Sequence, residues 1–152
     1  MKNKRRMLAI GISILFIFIV IFSVYSFQNN TSFPKLVSKQ IQKEDINEIK
    51  ISRIAYGTLY REEVIISESN EISSLINNLN NIELLEKYNE YIPRTEYRYD
   101  VLIQVNRQER FGITFLDEYN LEIYDAQDSN NRLNRYEIED GYNLNRLADY
   151  FK

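Results

Sequence analysis

No cysteine and no histidine occur in this chain of 152 residues. The first absence removes disulfides, thiolate metal sites, thiol nucleophiles and the lipid-modified cysteine that anchors bacterial lipoproteins. The second removes the commonest general base and the usual zinc or copper ligand. The four glycines form no G-x-x-x-x-G-K or G-x-G-x-x-G loop and no G-x-S-x-G turn, so nucleotide chemistry and the nucleophile-elbow mode of acyl transfer have no residues to rest on. Ser67, Ser69, Ser73 and Ser74 are followed by no lysine at the Ser-x-x-Lys spacing and read as helix-capping and helix-surface residues. The composition points away from an enzyme, and no cofactor or metal is expected. A bias toward Ile, Asn, Lys, Glu and Tyr is that of an AT-rich bacterial genome.

Residues Met7 to Phe27 form an uncharged apolar run preceded by Lys2, Lys4, Arg5 and Arg6. As a helix about 21 residues long, that run reaches roughly 30 Å, the thickness of a hydrocarbon core. Basic flanks stay cytoplasmic. The expectation is a single-pass transmembrane helix over 7–27, a cytoplasmic tail over 1–6, and an extracytoplasmic domain at the cell membrane. The membrane is then one partner, reached through Met7–Phe27. A cleaved signal peptide, with the domain secreted, is the alternative reading, because Val24, Tyr25 and Ser26 offer a loose cleavage pattern. Four of the 19 basic residues precede Met7, and the remaining 15 face all 22 acidic ones, leaving a net charge of about −7 beyond the run. That charge disfavours nucleic acid and favours basic protein surfaces or cations.

Gln28 to Asp45 reads as a linker, broken by Pro34, and 46–152 as one domain. Ile49, Ile51, Ile54 and Tyr56 outline a strand, Gly57-Thr58 a hairpin turn, and Leu59 to Ser67 a second strand. Ile72, Leu75, Ile76 and Leu79 have the i, i+3, i+4, i+7 spacing of one helix face after Ser69. Ile82, Leu84 and Leu85 read as a last turn or a packed connection. Tyr97, Tyr99, Val101, Ile103 and Val105 alternate with polar residues as a long strand, and the alternation repeats through Phe111, Ile113, Phe115, Leu121 and Ile123 as a meander. A last strand is expected near Tyr136 to Glu139, and Leu144, Leu147, Ala148 and Phe151 suggest a terminal helix. The expected fold class is α+β, a transmembrane helix followed by an antiparallel sheet packed against two short helices.

The run from Ile46-Asn47-Glu48-Ile49-Lys50-Ile51 through Ser69-Asn70-Glu71-Ile72-Ser73-Ser74-Leu75-Ile76 to the tyrosine-rich strand and final helix resembles small exported domains of unknown function from low-GC Gram-positive bacteria. These are membrane-anchored or lipoprotein-like. The resemblance is one of element order over most of the region after Lys43. It implies location and fold and transfers no site residue.

Tyr88, Tyr91, Tyr97 and Tyr99, with Arg94 and Arg98 among them, form the main candidate binding face, aromatic and cationic and suited to stacking on a sugar or peptide. The opposing reading makes Tyr97 and Tyr99 ordinary strand residues on the buried side. Asp117, Glu118, Glu122, Asp125 and Asp128 are a second candidate, for calcium or carboxylate chemistry. Arg132 stands where a calcium loop needs an oxygen ligand, and the turn glycine is missing. The functional expectation is a non-enzymatic binding or accessory module that meets an envelope protein or cell-wall component, with no nucleic acid involved. An immunity or inhibitor protein, or a metal-dependent sensor or enzyme using the acidic loop, is the alternative.

Overall fold

The structure, a computed structural model, describes residues 14–19, 30–41, 45–87, 95–128 and 133–152. Residues 14–19 are helical, with exposed Ile, Leu and Phe side chains. Six residues rise only about 9 Å, a third of a hydrocarbon core. Among the described residues no helix is long and apolar enough to cross a membrane. The expected single-pass transmembrane helix is corrected accordingly, and with it the cell-membrane location and the membrane as partner through Met7–Phe27. Residues 7–13 and 20–27 of that expectation lie outside the described residues.

Residues 31–152 are built on one large sheet. Its strands are β1 (Asn30–Ser32), β2 (Ile46–Ala55), β3 (Arg61–Ile66), β4 (Glu83–Lys87), β5 (Tyr97–Val105), β6 (Gln108–Phe115), β7 (Asn120–Asp125) and β8 (Leu133–Ile138). Their order across the sheet is β1-β4-β8-β7-β6-β5-β2-β3, and the pairings from β4 to β3 are antiparallel. The expected α+β class is corrected to a mainly β fold. Among the described residues of 31–152, helical cover is limited to α1 (Ser69–Leu79), the four-residue α2 (Asn145–Ala148), a 3-10 turn over Asp149–Phe151 and a π-helical turn over Pro34–Ser38.

Alternation sorts the strands into two faces. Ile51, Val101, Ile113 and Ile123 are register partners across four neighbouring strands and are buried. The flanking row of Tyr99, Phe115, Leu121 and Tyr136 is buried too. α1 supplies Ile72, Leu75, Ile76 and Leu79 to this core, as the helical spacing requires. Phe33 and Val37, from the stretch read as linker, are fully buried in the same core.

The opposite face is polar. Ser52, Asp100, Thr114, Glu122 and Arg135 are register partners there, and Thr114 donates to Asp100 at 3.0 Å while Arg135 pairs with Glu122. Such cross-strand pairs hold register and keep a one-sided sheet wetted.

The β5–β6 connection is a two-residue hairpin loop with positive φ at both Asn106 and Arg107, +53° and +63°. That geometry follows the right-handed twist of the flanking strands. The Arg107 N–H donates to Asn47 Oδ1 at 2.8 Å, which helps hold an arginine in a conformation that side chains disfavour.

Two ion pairs bound the covered face. Near the β6 start, a bulge turns Arg110 toward Asp125, and its guanidinium lies 4.4 Å from the Phe111 ring centre. At the other end Arg53, in register with Tyr99, pairs with Glu62.

Candidate functional site

The sheet end that carries Arg53 holds the most chemistry. The Arg53 guanidinium lies 5.3 Å from the Tyr97 ring centre and 5.0 Å from that of Phe151, and its Nε donates to Glu62 at 2.7 Å. The Tyr60 hydroxyl donates to the other Glu62 oxygen. Hydrogen bonding from Tyr60, then from Arg53, holds the Glu62 carboxyl below its ordinary range. Arg53, paired with Glu62, acts as a cap over the aromatic end of the core.

Beside this cap opens a cleft of about 550 Å3. Tyr97, Tyr99, Tyr119 and Leu144 give it aromatic and apolar walls, while Glu96, Asp117 and Glu118 bring carboxylates. Its walls are fixed by hydrogen bonds to backbone groups. The Thr95 hydroxyl lies 2.7 Å from the Tyr97 carbonyl and 2.9 Å from the Leu116 carbonyl, tying the start of β5 to the end of β6. Asp117 Oδ1 accepts from the Tyr119 N–H at 2.7 Å in an Asx turn. The carbonyls of Glu118 and Tyr119 accept from the N–H groups of Tyr142 and Ile138, each at 2.7 Å.

Tyr119 is held from its side-chain end as well. Gly141, at φ +73°, leaves room for the ring, since a Cβ there would lie 2.9 Å from Tyr119 Cε1. Yet Tyr119 is 55% exposed. An aromatic ring presented to water on a backbone held at both its N–H and its carbonyl is placed for something to stack on it.

A second cleft, about 500 Å3, shares Glu118 and Tyr119 with the first. Its other walls are polar, from Asn78, Asn81, Asn143, Asp140 and Arg146. Beneath it Tyr142 packs its ring on Phe115, with centroids 4.9 Å apart. The Tyr142 hydroxyl is buried without a hydrogen-bond partner among the described residues, and burial pushes its pKa up to about 12. An unfolded tyrosine ionises near pH 10. The folded state therefore keeps this proton longer than the unfolded state does. The resulting stability is complete below pH 10 and is lost as pH rises toward 12. Tyr142→Phe removes that part of the pH dependence, up to about 3 kcal/mol between pH 10 and 12. At neutral pH it leaves stability equal or higher, since no bond is lost. Urea unfolding at pH 7, 10 and 11.5 checks both outcomes.

The residues singled out by sequence divide between the faces. Tyr97 and Tyr99 line the first cleft together. Arg98 points to the opposite face, where it lies 3.5 Å from Asp100. Tyr88, Tyr91 and Arg94 lie outside the described residues. The acidic group is also dispersed: Glu122 pairs with Arg135, Asp125 with Arg110, and Asp117 closes its own turn. No group of three or more acidic residues able to hold a metal ion occurs among the described residues. Sequence reasoning missed Arg53, Tyr119 and Gly141. Arg53 was open to detection, because it occupies the buried-face register two residues beyond Ile51.

No protein-family model, curated protein or solved structure matches this chain.

Proposed function

We propose that this protein is a non-enzymatic binding module whose tyrosine cleft receives a cationic side chain of a protein partner. The observation that carries this reading is the pairing of Tyr97, Tyr99 and Tyr119 with Glu96, Asp117 and Glu118 around one cleft. Aromatic faces attract a lysine or arginine head group, by about 0.5–2 kcal/mol per contact, and the open face here is that of Tyr119, because Tyr99 is buried and Arg53 already lies against the Tyr97 ring. The carboxylates add a screened Coulomb attraction, and the net charge of about −7 beyond residue 7 steers the same partner from a distance. Nucleic acid is repelled by that charge. An inhibitor or immunity role is a special case of this binding.

Titration of the intact chain with a short lysine-containing peptide, followed by NMR, is the test. Binding is expected to weaken several-fold between 20 and 300 mM salt and at least five-fold in Glu96→Gln/Glu118→Gln. A norleucine peptide binding equally well would contradict the reading.

A further inference from the structure

We infer that the two clefts sharing Tyr119 form one groove for an extended peptide, with a basic side chain in the tyrosine cleft and main chain laid along the asparagine-lined one. This rests on the cation-binding reading above and adds what the partner presents beyond its charge. The shared wall of Glu118 and Tyr119 makes the clefts adjacent parts of one surface. Their chemistry differs sharply. The first is aromatic and acidic, and suits a cation; the second has amide side chains, and suits amides.

The hydrogen bonds already made by those amides show what is left to offer. Asn78 Oδ1 accepts from Arg146 at 2.9 Å, and Asn143 Oδ1 accepts from the Asn145 N–H at 3.0 Å. Each thereby commits its oxygen and has its NH2 group, two donors, left to offer. Asn81 is arranged the other way: its Nδ2 donates to the Asn77 carbonyl at 3.3 Å, which leaves Oδ1 as an acceptor. Donors from Asn78 and Asn143 with an acceptor from Asn81 supply both kinds of partner that the carbonyl and N–H groups of an extended main chain need. Arg146 gives one N–H to Asn78, and its remaining donors can meet a further carbonyl. Tyr119, shared by the clefts, supplies an aromatic surface for the residue that crosses from one to the other.

A neutral oligosaccharide is the rival occupant, since aromatic faces and amides also suit sugars. The three carboxylates at the tyrosine cleft favour the basic peptide, because they add nothing to stacking on an uncharged sugar ring.

The experiment uses the intact chain and NMR titrations with N-acetyl-lysine amide, with capped peptides of three, five and seven residues carrying one lysine at either end, and with a neutral chitooligosaccharide. Affinity is expected to rise at least ten-fold from the single residue to the best five-residue peptide. Asn81→Ala and Asn143→Ala are expected to remove most of that gain while leaving N-acetyl-lysine amide binding unchanged. Tyr97→Ala lowers both. Affinity independent of length, or a length gain untouched by the asparagine variants, would overturn the groove while leaving the cation site standing. Failure of every lysine ligand, or binding of the sugar alone, would overturn both.

Discussion

Replacing Phe33 by alanine lowers the unfolding free energy of the intact chain by about 3–5 kcal/mol, the range for truncating a fully buried aromatic. Phe33 has no exposed surface, and its N–H donates to the Ile82 carbonyl at 3.0 Å. Its neighbour in the turn, Val37, is equally buried. The loss is large because the sheet cannot close over the vacancy: Phe33 joins a core built from α1 and the central strands. Lys39→Ala, on the exposed side of the same segment, is expected to change stability by less than about 0.5 kcal/mol. Urea unfolding of the two variants decides whether residues 30–41 belong to the folded unit. A loss below about 1 kcal/mol for Phe33→Ala would return the segment to the status of a linker.

Asp125→Ala has the next largest effect, a destabilisation of about 2–3 kcal/mol. Removing one member of a buried pair strands the other charge. The Arg110 side chain is only 9% exposed, and burial already presses its guanidinium below its ordinary pKa. Asp125 is 22% exposed, which places the expected loss below the range of about 3–5 kcal/mol for fully buried pairs. Exchanging both, as Asp125→Ala/Arg110→Met, is expected to recover most of it, since methionine can still cover the Phe111 ring without a charge to satisfy. Denaturant unfolding of the single and double variants gives the coupling directly. If the double variant is no more stable than Asp125→Ala, the cost lies in lost packing and not in a stranded charge.

Much of the sheet was legible because its signal is strong and local. Period-two alternation located β5 to β7, Gly57 of the expected hairpin turn has a positive φ of +72°, and the four apolar positions of α1 are all buried. β4 was not legible as a strand. Glu83–Lys87 has no alternation to mark it, and it exists because Leu84 and Leu85 pair with Ile138 and Glu137. β1 and the Phe33 turn were hidden by Pro34 and by polar neighbours, which read as linker until a core closes over them. The terminal helix is shorter than its apolar spacing suggested, since Asp149–Phe151 tightens to a 3-10 turn that brings Phe151 over Arg53 and toward Tyr99. The apolar run at Met7–Phe27 shows the limit of a composition argument. Its length and lack of charge are properties of the sequence, whereas the helix described there covers only residues 14–19.

The candidate site was half legible for a similar reason. Tyr97 and Tyr99 stand two residues apart on one strand, so alternation alone puts them on one face and Arg98 on the other. Tyr119 and Glu118 join them only through the fold. The loop that carries them is fastened to Ile138 and Tyr142 by bonds across about twenty residues of chain, and no spacing rule reads such a closure.

Amide and aromatic chemical-shift mapping of the intact chain during titration with a lysine peptide tests the cleft most directly. A basic occupant requires saturable shifts confined to Tyr97, Tyr99, Tyr119, Glu96 and Glu118 and their neighbours, abolished when lysine is replaced by norleucine. Saturable shifts on the polar face instead, around Asp100, Thr114 and Glu122, or no saturable shift at millimolar peptide, would contradict it.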